Sequence, residues 1–309
     1  AASDVYKRQV EVPNEWDMGL GVRKAIYIPF PQAVPSVYLI DRDSCIECES
    51  CIEACREQGR DAIDFNMKPE EVELDVGAII VATGFDLYDP TKAREYGYGR
   101  YPNVITNLEF ERIVNAAGPT GGAILRPSDG KPPKRVAFIQ CVGSRNVSAR
   151  EYCSRICCMA TLKHAHQLKE KSPGTRVVVF YMDLRSFGKG YEEFYKRVQS
   201  EGVHFIRGRV SKVFEKPGTH NLIVRCEDTL SGEIIEMEFD MVVLAVGLVP
   251  PPDVEQLQRV LKISRSPDGF FLEAHPKLRP VETHVPGIYL CGTAQGPKDI
   301  PDTVAQASA

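Results

Sequence analysis

At 309 residues, with 43% hydrophobic and 26% charged side chains, the chain has globular composition and the length for two or three compact units. A formal net charge of −4, with no Lys/Arg-rich run, excludes a general nucleic-acid-binding surface. No apolar stretch reaches the roughly 20 residues of a membrane helix, and the first residues lack a signal-peptide pattern, so the chain reads as cytoplasmic.

Residues 1–9 carry no usable pattern. CIECESCIEAC (45–55) is a dense cysteine segment, and DAIDF (61–65) reads as a short strand closing that unit. The apolar run VELDVGAIIVAT (72–83) reads as a buried strand ended by a tight turn at Gly84. Residues 102–117 predict a helix entered at Thr106 or Asn107 and closed by Gly118-Pro119, and the Gly- and Pro-rich stretch 118–134 a linker. An alternation follows: strand 135–140, helix 151–171, strand 176–182, helix 191–201, strand 203–208, the order of a parallel sheet with covering helices. Segments 210–228 and 233–240 alternate apolar and polar residues as an antiparallel meander does. MVVLAVG (241–247) returns as a buried strand, three prolines at 250–252 break it, and GIYLCG (287–292) is a last strand before a helix. Both ends look cut, the final helix having barely begun at Ala309.

The ten cysteines fall into two groups of four, with Cys226 and Cys291 apart. Cys45, Cys48, Cys51 and Cys55 follow C-x2-C-x2-C-x3-C, the spacing by which bacterial-type ferredoxin segments wrap a [4Fe–4S] cluster, the fourth cysteine reaching a neighbouring cluster in two-cluster domains. Arg56 replaces the proline usual after the fourth cysteine. A structural zinc site uses the same soft thiolates and remains open on spacing alone. Cys141 ends a strand, and Cys153, Cys157 and Cys158 follow in the segment read as helix 151–171, where Cys153 and Cys157 would share a face. A cluster there would set its negative charge against the free N–H groups of a helix start. The same loop has only Gly143 and no G-x-G-x-x-G, so nicotinamide binding at this unit is disfavoured. Four ordinary buried cysteines are the plain alternative.

GAIIVATG (77–84) and GIYLCGTAQGPKDIPDTVAQ (287–306) are two strand–glycine elements of the kind that face a flavin or phosphate. They nominate Thr83, Gly84, Gly292, Thr293, Ala294, Gln295, Gly296, Asp299 and Ile300 as FAD contacts. His164 and His166 read as helix-surface residues, and Cys226 as strand packing.

Long segments of the chain resemble the A-type subunit of heterodisulfide reductase, the FAD-containing iron–sulfur one, and its bacterial relatives. They are VEVPNEWDMGLGVRKAIYIPFPQAVP (10–35), FIQCVGSR (138–145), YCSRICCMATLK (152–163), DLRSFGKGYEEFY (183–195) and AQGPKDIPDTVAQA (294–307). The resemblance implies an α/β fold, a thioredoxin-reductase-like two-domain flavoprotein core of Rossmann-like parallel sheets with an inserted ferredoxin-like [4Fe–4S] domain. Its division would be a ferredoxin-like insert at 10–70, FAD-domain segments at 71–117 and 246–309, a linker at 118–134 and a degenerate nicotinamide-type domain at 135–245. It implies a flavin-proximal cluster on Cys141, Cys153, Cys157 and Cys158, and Lys163 near the flavin ring. It also implies that Arg8 and Gln9 stand where Cys-Pro of a first cluster motif is expected, so that 1–9 would be foreign sequence.

The function so implied is electron transfer between FAD and [4Fe–4S] clusters, underlying flavin-based electron bifurcation between ferredoxin and a disulfide acceptor. Expected partners are other heterodisulfide-reductase-type subunits, ferredoxin and a hydrogenase- or dehydrogenase-type electron donor, without nucleic acid or a membrane span. The rival readings are a flavoprotein subunit of a quinone-interacting membrane complex and a zinc-stabilised interaction scaffold.

Overall fold

The computed structural model describes residues 10–309, which divide into two compact units. One comprises residues up to 74 together with 111–123, the other residues 75–110 with 124–309. The expectation about Arg8 and Gln9 lies outside the described residues.

In the first unit, β1 (Val12–Pro13) and β2 (Val22–Arg23) form one antiparallel pair, and β3 (Ile26–Tyr27) and β4 (Leu39–Ile40) another. Such short ladders contribute few backbone bonds, and side-chain ion pairs tie the unit together. Arg23 bridges Glu15 and Asp41, the latter at 2.9 Å, and its guanidinium holds the Glu15 carboxyl down at about 2. Trp16 stacks on Phe30 with ring centroids 4.2 Å apart. Helix α1 (Ser50–Glu57) carries Cys51 and Cys55. Residues 61–65 are not a strand: they run without a ladder partner into a turn at Phe65.

The second unit is built on a five-stranded, wholly parallel sheet. Its strands are β7 (Val104–Thr106), β8 (Arg135–Val142), β9 (Arg176–Tyr181), β10 (His204–Arg207) and β14 (Met241–Val246), in the order β10-β9-β8-β14-β7. The sequence alternation 135–208 produces the three strands β8, β9 and β10 and their crossover helices α3 (Cys157–Lys171) and α4 (Tyr191–Ser200). This is a Rossmann-like α/β architecture. Strand β7 corrects the expected helix 102–117, whose residues 104–106 instead pair with β14. Only α2 (Asn107–Val114) is helical, and Thr106 and Glu109 close it as a reciprocal capping box, each side chain accepting from the other's backbone N–H, Thr106 at 3.2 Å and Glu109 at 2.5 Å.

Both sheet faces are covered, which explains the unbroken apolar strands. On one face Ala137, Ile139, Val178 and Phe180 pack with Val213, Leu222, Val224 and Phe239 of the antiparallel meander β11 (Val210–Glu215), β12 (Leu222–Asp228) and β13 (Glu233–Phe239). Phe180 and Phe239 meet edge to face at 6.0 Å. On the other, Phe138 meets Phe110 at 5.5 Å and His164 of α3 at 6.5 Å. His164 is therefore buried, 2% exposed, contrary to its reading as a helix-surface residue. His166 is half-buried and bridges Glu201 at 2.9 Å.

The expected strand 72–83 shortens to β5 (Ile79–Val81), parallel to β16 (Ile288–Leu290). Nor is it fully buried: Ile79 and Ile80 are 38% and 67% exposed. Strands β6 (Asp86–Leu87) and β15 (Leu248–Val249) pair antiparallel, and α5 (Val254–Leu261), absent from the sequence reading, follows the prolines. The last strand leads to α6 (Ile300–Ser308). No helix among the described residues is long and apolar enough to cross a membrane.

Candidate cluster and flavin sites

The two cysteine groups occupy different units. In the first unit Cys45, Cys48 and Cys51 line one small apolar cavity with Ala25, Ile26 and Ile40. Burial, and then the nearness of Cys45 and Cys48, push the Cys51 thiol up. Cys55 does not line that cavity; its sulfur accepts from the Ala62 N–H at 3.4 Å. The C-x2-C-x2-C-x3-C run thus splits three and one, the split expected where a fourth cysteine serves a neighbouring site.

In the second unit, Cys141, Cys153, Cys157 and Cys158 all line one small cavity with Arg145, Arg155 and Arg185. Its place follows from the fold. Cys141 sits near the C-terminal end of β8, and Cys157 Sγ lies 3.7 Å from the carbonyl of Val246, the last residue of β14. Strands β8 and β14 are neighbours where the chain order of the sheet breaks, the crevice in which open α/β sheets hold their ligands.

Helix α3 begins at Cys157, so Cys153 lies outside it and does not share a helical face with Cys157. The physical reason is local. Arg155 is left-handed at φ 59°, Ser154 is fully buried with its hydroxyl accepting from the Leu248 N–H at 2.8 Å, and Tyr152 donates to the Leu248 carbonyl at 2.8 Å. The loop is pinned to β15 and enters the helix only afterwards. Cys141 and Arg145 are also left-handed, at φ 61° and 53°, and non-glycine residues in this region gather where surrounding structure enforces them. Gly143 is obligatory here: a Cβ would stand 2.2 Å from the Tyr88 ring.

By themselves the surroundings hold these cysteines as neutral thiols. Burial, then the neighbouring thiolates, raise Cys157 above the ordinary thiol range, and Cys141 is pushed up to about 11 mainly by burial. Arg145 opposes this at Cys141, and both Arg145 and Arg185 oppose it at Cys158, which also receives a backbone hydrogen bond from Arg185. Left empty, the set favours neutral thiols; a cationic centre would ionise them. Cys157 and Cys158 open α3, whose cap residue Ile156 offers no side-chain acceptor, so helix-start N–H groups face the same region. Among the described residues no three His, Cys, Asp or Glu side chains converge as a single bound metal ion requires. The thiols instead ring cavities, and this donor chemistry fits an iron–sulfur core. Arg145, Arg155 and Arg185 were missed by sequence reasoning, since nothing in an isolated arginine marks a left-handed backbone or a cavity wall.

The flavin candidates divide. Lys163, Asp299 and Ile300 line one cavity of about 310 Å³ with Ile156, Met159 and Tyr191, its walls mainly apolar. Such a cavity, rimmed by Lys163 and Arg155, fits a flat heteroaromatic ring with polar edges. Thr83, Gly84, Gly292, Thr293, Ala294, Gln295 and Gly296 do not line it. They lie beyond the paired ends of β5 and β16, where the Cys291 N–H donates to the Val81 carbonyl at 3.0 Å. Gly292 is left-handed and donates to Gln306 at 2.8 Å, while Lys298 donates to the carbonyls of Gly292 and Gly296 at 2.9 and 3.3 Å. Asp299 caps α6, accepting from the Asp302 N–H at 3.0 Å. Cys226 is fully buried in β12, as strand packing requires.

No family model matches the sequence. The A-type iron–sulfur subunit of the CoB–CoM heterodisulfide reductase of Methanocaldococcus jannaschii is 61% identical over 300 residues, covering 96% of this chain and 45% of that protein. The A-type subunit of the H2:CoB–CoM heterodisulfide,ferredoxin reductase of Methanothermobacter marburgensis is 58% identical over 301 residues, 97% of this chain and 45% of that protein. Its counterpart in the ferredoxin:CoB–CoM heterodisulfide reductase of Methanosarcina mazei is 48% identical over 97% of this chain and 38% of that protein. The chain thus spans less than half the length of these relatives. Among solved structures, the thioredoxin reductases of T. acidophilum and Lactococcus lactis match with a TM-score of 0.45 at 14% and 19% identity, each over 75% of this chain and 61% of theirs. The parallel sheet rests on its own strand pairing rather than on likeness at that level. Along nearly its whole length, the chain is a homologue of the A-type iron–sulfur subunits of heterodisulfide reductases.

Proposed function

We propose that the chain is the flavin- and cluster-bearing electron-transfer part of a heterodisulfide-reductase-type complex, in which Cys141, Cys153, Cys157 and Cys158 hold a [4Fe–4S] cluster beside FAD. The observation that carries this is that those four cysteines, from a strand end, a loop and a helix start, line one cavity at the sheet's switch point. Cys45, Cys48 and Cys51 would supply three ligands of a second cluster, and Cys55 one ligand of a neighbouring site. Residues 10–70 would form the ferredoxin-like insert, 71–117 and 246–309 the FAD-domain segments, and 135–245 the domain carrying the flavin-proximal cluster.

When bound, the flavin supplies two-electron and the clusters one-electron exchange. The chain's own residues set the conditions for it. Cys157 and Cys158 are buried from water, Arg145 would offset thiolate charge at Cys141 and Cys158 and Arg185 at Cys158, and the start of α3 adds its N–H groups. Lys163 stands on the same helix as Cys157 and Cys158, between one and two turns on, at the wall of the apolar cavity, where it would face the ring's polar edge. Asp299, Ile300 and the turn Gly292–Gly296 would meet the rest of the cofactor.

The relatives' names support a choice of acceptors and partners. One names H2, CoB–CoM heterodisulfide and ferredoxin together, and another names ferredoxin with CoB–CoM heterodisulfide. We therefore assign ferredoxin, a disulfide-reducing protein and a hydrogenase- or dehydrogenase-type donor as partners, with electron bifurcation at the flavin. Stopped-flow reduction of the assembled complex tests this: ferredoxin reduction strictly dependent on disulfide supports bifurcation, and ferredoxin reduction without disulfide contradicts it.

A further inference from the structure

Among the described residues, Arg155 is the one residue that lines both the four-cysteine cavity and the apolar cavity. Its backbone N–H donates to Cys153 Sγ at 3.3 Å, from a left-handed conformation at φ 59°. Its guanidinium pairs with Asp302 at 2.6 Å, in the first turn of α6, and lies 5.0 Å from the centre of the Phe187 ring. Asp302 in turn donates its N–H to Asp299, the capping residue that lines the apolar cavity. One residue therefore fixes the direction of a cysteine sulfur and the position of the α6 start.

We propose that Arg155 is a positioning residue that couples the two cavities, so that occupancy of the cysteine set and binding of a flat ring beside Lys163 depend on each other. The inference rests on the proposed cluster and flavin reading, and deepens it. A guanidinium stays charged, so its attraction for a thiolate-bound cluster grows as that cluster is reduced. The same charge is shared with Asp302, whose pull on it competes with the cluster's. With the set filled, Cys153 would be a thiolate, a stronger acceptor for the Arg155 N–H than the neutral thiol, so filling the set would tighten the cavity wall and emptying it would loosen it. Lys298, held to the Gly292 and Gly296 carbonyls, feels the same charge after the larger effect of its own burial, which extends the coupling to the glycine turn.

The test uses the cluster- and FAD-loaded holoprotein with Arg155→Gln, Arg155→Lys and Asp302→Asn. Two quantities are read: the cluster midpoint potential, followed by its paramagnetic signal, and FAD affinity with and without the Cys157→Ser/Cys158→Ser pair. Arg155→Gln is expected to disfavour the reduced cluster about tenfold, a fall of about 59 mV for one electron. Asp302→Asn, at a half-exposed position that leaves the Cys153 contact intact, is expected to raise the potential, and Arg155→Lys to restore it. Opposite signs from the two partners of one ion pair are not produced by simple loss of structure. FAD affinity should fall on cysteine replacement in the wild type and be indifferent to it in Arg155→Gln. Unmoved potentials, or equal FAD losses with and without the cysteine pair, overturn the coupling while the cofactor reading stands. A wild-type protein that holds no cluster overturns both.

Discussion

Asp17 and Arg112 lie 95 residues apart in sequence and pair at 2.9 Å, their side chains only 9% and 10% exposed. This pair fastens residues 111–123 to the N-terminal segment of the first unit. Removing one charge from a buried pair leaves the other uncompensated, so Asp17→Ala should cost about 3–5 kcal/mol. Replacing both with apolar residues, Asp17→Leu with Arg112→Met, should cost far less. Denaturant unfolding of the two variants checks this, and equal losses would contradict it.

The sheet's α3-facing side turns on Phe138, fully buried between Phe110 and His164. Phe138→Ala removes that ring from the middle of β8 and should destabilise the second unit by about 3–5 kcal/mol. Calorimetry on the same protein reports it directly; a loss under about 1 kcal/mol, as for a surface change, would show that the packing around β8 does not depend on the ring.

Gln140 gives the opposite prediction. It is only 7% exposed, and both polar atoms of its amide are buried without a hydrogen-bond partner among the described residues. Leaving such atoms unpaired costs about 1–3 kcal/mol, so Gln140→Leu should be neutral or stabilising in the thermal melt. A marked fall in melting temperature would mean that the amide has a partner, such as an ordered water.

The metal-free protein should lose stability at high pH. Its Cys141 thiol, raised from 9.0 to about 11 chiefly by burial, holds its proton more tightly in the fold than in the unfolded chain. The contribution is therefore complete below pH 9 and lost as pH rises through about 11, on the order of 2 kcal/mol. Cys141→Ser lacks that titration, so its stability should fall less over the same interval. Parallel curves for the two proteins would contradict the assignment.

Much of this was legible from periodicity. The strands at 135–142, 176–181 and 241–246 are apolar because both faces of the sheet are covered, and their turns fall at prolines and glycines. The meander read directly from alternation. What escaped was decided by tertiary contact. Val104–Thr106 is three residues long and gains its identity only by pairing with β14. The start of α3 is set by Ser154 and Tyr152 bonding to Leu248, nearly a hundred residues later, and no local propensity separates Cys153 from the helix. Residues 61–65 have a strand's composition but no ladder partner among the described residues. At the sites, cysteine spacing nominated all eight candidate ligands, whereas the arginines around them belong to cavity walls that only the fold assembles.

The most direct measurement is iron, acid-labile sulfide and zinc per chain after anaerobic reconstitution, on the wild type and on Cys157→Ala/Cys158→Ala. The account predicts iron and sulfide in equal amounts in the wild type, with about four irons, one [4Fe–4S] core, lost in the variant. Zinc without sulfide, or an iron content that the double substitution leaves unchanged, would contradict a cluster at the four-cysteine cavity.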